Sequence, residues 1–289
     1  MNSQKPKTKH MQITKIISAA LFSTLFLAAC SNEPKKESTE EKPFVAEEAV
    51  DLTNSEAMMN NMPSPIELAI LIKAEGAKYN KELLNDVKNI SKYTTNAKKA
   101  INIGVYSADV GYTTLFKQTQ ETYFYFNNIR KLSDEIGLSS AFDQTMFDRV
   151  ESNVENRDSL IGIITQAYQV GNKFLKDNNR MSTSVLMVSG AWVECMYIAT
   201  RLSSNGKINP QIAARVAEQK ITLAKLLSTM NEFKTDENVA ALIPQFQSLK
   251  AIMEKGEIAT PKDDDFVINE AQYKELVAKT EEVRSSFVN

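Results

Sequence analysis

From Ser64 onward, apolar residues recur at three- and four-residue steps, the spacing that gathers them on one face of an α-helix. Sustained two-residue alternation is absent, and the whole chain holds only nine glycines. The pattern predicts an all-α domain over 64–289, a bundle of about eight mostly antiparallel helices. Ser64-Pro65-Ile66-Glu67 reads as a capping box with Pro at the first helical position, opening a helix that ends before Gly76. A short helix follows over about 80–92, with Leu83, Leu84, Val87 and Ile90 on one face. The longest stripe runs over about 95–136, through Ala97, Ile101, Gly104, Ala108, Gly111, Leu115, Thr122, Tyr125, Ile129 and Leu132. The polar run Lys117-Gln118-Thr119-Gln120 is the expected place for a bend in it.

Further helices are expected from the box-like pair Ser140 and Asp143, from Asp158, and over 182–203. The last of these is apolar on nearly every side, which marks a helix enclosed by others. Ser189, Glu194 and Thr200 interrupt it too often for a membrane span. Asn209-Pro210 opens another helix, and one over about 237–255 carries Pro244, which should kink it or mark its start. A loop over 256–268 precedes a final helix capped by Asn269 and Gln272.

The N-terminal region has a different pattern. Lys5, Lys7, Lys9 and Lys15 precede an apolar run from Ile16 to Ala29. A basic stretch, a short apolar stretch and small residues at its end make a secretory signal peptide, here residues 1–29. A spanning helix needs ~20 apolar residues, so the run is too short to remain in the bilayer. Its end, Leu27-Ala28-Ala29-Cys30, resembles the lipobox of bacterial lipoproteins. The resemblance implies cleavage before Cys30 and acylation of Cys30, with the lipid bilayer as partner. More than one acyl chain is enough for stable anchoring. By the same resemblance Asp at position 31 would imply retention in an inner membrane, and Ser31 implies the outer membrane of the cell envelope.

Composition narrows the chemistry. Residues 31–65 hold eight acids against three lysines, while 66–289 is nearly neutral. Over 30–63 the chain is polar and poor in aromatics, so it reads as a disordered acidic tether. No basic surplus exists to neutralise phosphates, which excludes nucleic acid as an expected partner. The only histidine, His10, lies within the signal peptide, and Cys195 is the one cysteine beside Cys30. His/Cys zinc sites, Ser-His-Asp triads and Cys-His pairs are therefore excluded from the mature chain. No P-loop, dinucleotide fingerprint or HExxH motif occurs, so no metal or cofactor is expected. Cys195 sits among apolar residues and reads as a small buried hydrophobe. Asp263-Asp264-Asp265 lacks the spaced ligands and glycine of a calcium loop and reads as solvated. The aromatic run Tyr123-Phe124-Tyr125-Phe126 reads first as core packing.

Two stretches remain as candidate sites. Gly104, Ala108 and Gly111 line one helix with small residues; Ser189-Gly190-Ala191-Trp192-Val193-Glu194 occupies the middle of the most apolar helix. These helices are expected to cross at the small residues, with Trp192 buried. Each carries one acid in apolar surroundings, Asp109 and Glu194, and a buried carboxylate is costly unless paired or hydrogen-bonded. Either the acids are a structural network with Tyr, Asn, Lys or Arg, or they are a functional pair with raised pKa values. Asp109, Glu194, Trp192 and Tyr106 are the candidate binding residues. The stretch from Asn102 to Tyr112 and the segment Gly190-Ala191-Trp192-Val193-Glu194 resemble a group of uncharacterised all-helical bacterial lipoproteins, and that resemblance brings no activity with it.

The function expected from these features is a membrane-anchored envelope lipoprotein with a non-enzymatic binding or structural domain, and an envelope protein is its possible partner. One alternative is a carboxylate-dependent hydrolase of envelope or dietary glycans built on Asp109 and Glu194. Another is a sensor of a small apolar ligand, held in a cavity lined by Trp192, Tyr106 and Tyr125.

Overall fold

The computed structural model describes residues 70, 73–74, 76–142, 144–202, 209–255 and 268–289. The signal peptide, Cys30, the acidic tether, the Ser64 capping box, Asp143 and the Asp263–Asp265 run lie outside the described residues. Within them every regular element is helical. The eight α-helices with described bounds are α1 Asn96–Leu115, α2 Thr119–Glu135, α3 Gln144–Asn153, α4 Arg157–Asp177, α5 Met181–Leu202, α6 Pro210–Glu232, α7 Glu237–Glu254 and α8 Glu270–Val288. Short 3-10 turns at Lys81–Leu83, Val87–Lys92 and Ser139–Ala141 complete the order. The expected all-α multi-helix bundle is therefore the observed fold class.

Start signals are satisfied by side chains. Thr95, Asn156, Asn209, Asp236 and Asn269 each accept a hydrogen bond from a backbone N–H in the first turn of the helix that follows. Asn156 rather than Asp158 thus opens α4. Pro244 falls inside α7, whose start is fixed by Asp236.

The 95–136 stripe is two helices, not one bent helix. Lys117 takes a left-handed conformation, φ 58°. The N–H of Lys117 bonds to Thr114 O at 3.1 Å and that of Gln118 to Thr113 O at 2.9 Å. This double bond pattern closes a helix with a Schellman motif, usually built on glycine. Gly137 and Asn179 end α2 and α4 in the same way, with φ of 72° and 56°. The reversal folds α2 back along α1, and Thr122 Oγ1 meets Thr113 Oγ1 at 2.9 Å inside the hairpin.

The 80–92 segment also departs from the helix expected there. Leu84 and Asp86 are extended, which splits it into two 3-10 turns. The split frees carbonyls for tertiary bonds. Tyr106 Oη donates to Asp86 O at 3.1 Å, and Asn128 Nδ2 donates to Val87 O at 2.8 Å. Those bonds hold the segment against α1 and α2.

The core centres on α1 and α5, which pack closely along most of their length. A Cβ built on Gly190 would overlap the carbonyl oxygen of Ile101 and lie 2.9 Å from its carbonyl carbon. A Cβ on Gly104 would overlap Met187 O and lie 2.8 Å from Ala191 N. Only hydrogen fits at either position, so these glycines set the interhelical distance. The expected crossing is there, at Gly104 and Gly190. Trp192 is buried, but its ring packs 5.7 Å from Phe246 of α7. α5 is long and apolar enough to cross a membrane, yet most of its apolar stretch is enclosed by the domain.

Candidate functional site

Asp109 from α1 and Glu194 from α5 meet inside the bundle, and both are 0 % exposed. The sequence pattern placed each acid on an apolar helix but did not single out their partner. That partner is Arg284 from α8, whose side chain is 13 % exposed. Its Nε donates to Glu194 Oε2 at 2.6 Å and its Nη2 to Glu194 Oε1 at 2.7 Å. Two parallel charge-assisted bonds of this kind fix both position and orientation. Nη2 also donates to Leu83 O at 3.1 Å, and the guanidinium lies 4.1 Å from the centre of the Tyr197 ring. Burial alone would weaken the proton's hold on Arg284, but the facing Glu194 charge and hydrogen bonds outweigh it, and the net shift is upward.

Asp109 is in a different state. Neither of its oxygens has a hydrogen-bond partner of ordinary geometry. Burial pushes its pKa well above the usual carboxylate range, and the neighbouring Glu194 charge pushes it further. Arg284 and the backbone N–H of Asn85 oppose the shift without reversing it. One guanidinium thus pairs with one carboxylate, and burial favours the neutral form of the second acid. Two ionised acids beside a single Arg would leave a buried net charge, which the interior does not tolerate.

A ring of neutral groups surrounds the pair. Asn85 Nδ2 donates to Tyr93 Oη at 2.9 Å, and Asn89 Nδ2 to Asn85 Oδ1 at 2.8 Å. Tyr106 lies 6.2 Å from Tyr93 and 5.8 Å from Tyr125, centre to centre. Burial raises the phenol pKa of Tyr106 and Tyr125. Burial also pushes the Cys195 thiol up, so it stays protonated. A nucleophilic cysteine needs the opposite shift.

Of the four candidates read from the sequence, Asp109, Glu194 and Tyr106 share this network. Trp192 does not, because two residues along a helix is 200° of rotation and its ring faces α7. Arg284, Asn85, Tyr93 and the carbonyl of Leu83 complete it. The one available signal for Arg284 was its place beside Val283 and near Phe287 on the apolar face of the last helix. Among the described residues no group of three or more His, Cys, Asp or Glu is placed to hold a metal ion.

A separate cavity of about 110 Å³ lies between α1, α2, α4 and α5, with Phe142 and Val150 at its side. Neither acid lines it, and neither do Trp192, Tyr106 or Tyr125, the aromatics expected around an internal ligand. The aromatic run of α2 divides instead. Tyr125 enters the core, Tyr123 and Phe124 face outward, and Phe126 borders the cavity.

A comparison with protein-family models, with curated proteins and with solved structures finds no match to this chain.

Proposed function

We propose that this chain is a cell-envelope lipoprotein, anchored in the outer membrane through acylated Cys30, whose helical domain binds or braces rather than catalyses. The observation that carries the non-enzymatic part is the state of the two acids. Asp109 and Glu194 are 0 % exposed, and Glu194 is spent on a bidentate bond to Arg284. A glycoside hydrolase needs two carboxyl groups flanking a bond that the substrate can bring to them. Here the 80–92 segment lies over the pair, held by Arg284 and Tyr106. On this reading the acids serve the fold, with Glu194 and Arg284 as a buried clamp between α5 and α8.

The anchoring part rests on Leu27-Ala28-Ala29-Cys30 and the basic and apolar stretches before it. Its test is Cys30→Ala in a bacterium with lipoprotein processing. The wild-type chain should partition with membranes and incorporate labelled palmitate; the variant should lose the label and leave the membrane fraction. Retention of both by the variant would refute the anchor. A second reading, ligand sensing, draws support from the apolar cavity, and an envelope protein is the partner expected of a bracing domain.

A further inference from the structure

We propose that the 80–92 segment is a proton-dependent cover over the buried acid pair: one proton held between Asp109 and Glu194 keeps it closed, and loss of that proton lets it open. This rests on the Glu194–Arg284 clamp, which Arg284→Met tests separately, and is independent of how Cys30 is processed.

The hydrogen bonds require the proton. Glu194 accepts from Arg284 on both oxygens, whereas Asp109, also 0 % exposed, accepts from no N–H or O–H of ordinary geometry on either. Asp109 faces Glu194 within reach of a side-chain hydrogen bond, but two ionised carboxylates have no hydrogen to place between them. A protonated Asp109 supplies one. Its O–H donates to Glu194, and the charges of Asp109, Glu194 and Arg284 then sum to zero. The titratable groups around Asp109 are Glu194 and Cys195 of α5, Arg284 of α8, Tyr106 of α1, Tyr125 of α2, and Tyr79 and Tyr93 on either side of the covering segment. Burial holds the phenols and the thiol neutral, and Arg284 stays charged, so the Asp109 proton is the first of these to leave as pH rises.

The packing around the pair sets which side gives way. α1 and α5 meet backbone against backbone at Gly104 and Gly190. The 80–92 segment has no such seam. It is two 3-10 turns joined through extended Leu84 and Asp86. Single side-chain bonds tie it to the helices: Arg284 to Leu83 O, Tyr106 to Asp86 O and Asn128 to Val87 O. Asn85, 2 % exposed, sets its backbone N–H against Asp109. A short segment with few buried contacts opens locally at lower free energy than the helices beneath it. When Asp109 ionises, its proton passes to solvent and the cluster holds a buried net charge. Lifting the segment admits water and relieves it.

Amide hydrogen exchange reads the opening. The full chain in detergent is followed from pH 5 to pH 8, with rates corrected for the intrinsic pH dependence of exchange. Residues 80–93 should exchange faster than residues 100–112 of α1, because the cover opens without global unfolding. Corrected protection of 80–93 should fall about tenfold for each pH unit, the linkage of one released proton, until Asp109 ionises in the closed form as well. Asp109→Asn has no proton to release, so its profile should be flat. Unchanged wild-type protection from pH 5 to pH 7 overturns the cover, and so does equal protection of the two segments. Both outcomes are read on wild type, so they decide the matter even if Asp109→Asn fails to fold. A variant that keeps the wild-type slope overturns the assignment to Asp109.

Discussion

Arg284→Met removes the cation of the buried clamp while keeping most of its length. Three things are lost together: two charge-assisted bonds to Glu194, the bond to Leu83 O, and the stacking on Tyr197. Glu194 is then left 0 % exposed beside Asp109 with no counter-ion. Removing one partner of a buried pair costs about 3–5 kcal/mol, because the remaining charge is uncompensated. A domain holds only about 5–15 kcal/mol, so this is a large share of it. In a domain of this size each kcal/mol moves Tm by about 2–4 °C, so a fall of about 6–20 °C is expected. Thermal and urea unfolding followed by circular dichroism at 222 nm suits an all-helical chain. The double variant Glu194→Gln with Arg284→Met should regain much of the loss, since no buried charge is stranded. A single variant within 1 kcal/mol of wild type, or a double variant whose loss equals the sum of the singles, would refute the clamp (the 1 kcal/mol bound being roughly the worth of an exposed ion pair).

The neighbouring acid and the helix crossing give two further predictions. Asp109 has a folded-state pKa above its unfolded one, so its contribution is most favourable below the unfolded pKa and declines as pH rises toward the folded value. Asp109→Asn should therefore raise Tm at pH 7 and reduce the gain in stability that wild type shows between pH 7 and pH 5; unchanged pH dependence would show that the carboxyl is ionised at no cost. Gly190→Ala forces a methyl against the Ile101 carbonyl, where the neighbour is backbone and gives little. Overpacking of this kind costs about 1–3 kcal/mol or more, and a variant as stable as wild type would mean that α1 and α5 are not in contact at Gly190.

The fold class was legible because helical periodicity survives in almost every segment and the capping residues stand where the helices begin. The α1–α5 crossing was legible for a related reason: Gly104 and Gly190 are rare glycines inside strongly apolar helices. The α1–α2 reversal was not, because Lys117 adopts a left-handed turn that sequence normally announces with glycine. The 80–92 segment misled for another reason. Its apolar spacing is helical, but the carbonyls of Leu83, Asp86 and Val87 are engaged by Arg284, Tyr106 and Asn128 from distant parts of the chain. The site was half legible. Two acids in apolar helices demand compensation, and that demand can be read locally. The residue that meets it lies 90 positions beyond Glu194 and shows only as a basic residue next to an apolar face. The cavity leaves no trace in sequence, since an imperfect fit between apolar side chains has no residue signature.

The anchor is the claim on which the proposed place in the cell depends, and it is open to a direct measurement. The chain is expressed without a tag at its N-terminus, in a bacterium that processes lipoproteins, and its intact mass and N-terminal peptide are determined. The account predicts a mature chain beginning at Cys30 whose N-terminal peptide carries the added mass of a diacylglyceryl group, with or without a further acyl chain. An unmodified Cys30, whether inside an uncleaved chain or at a free N-terminus, would contradict it.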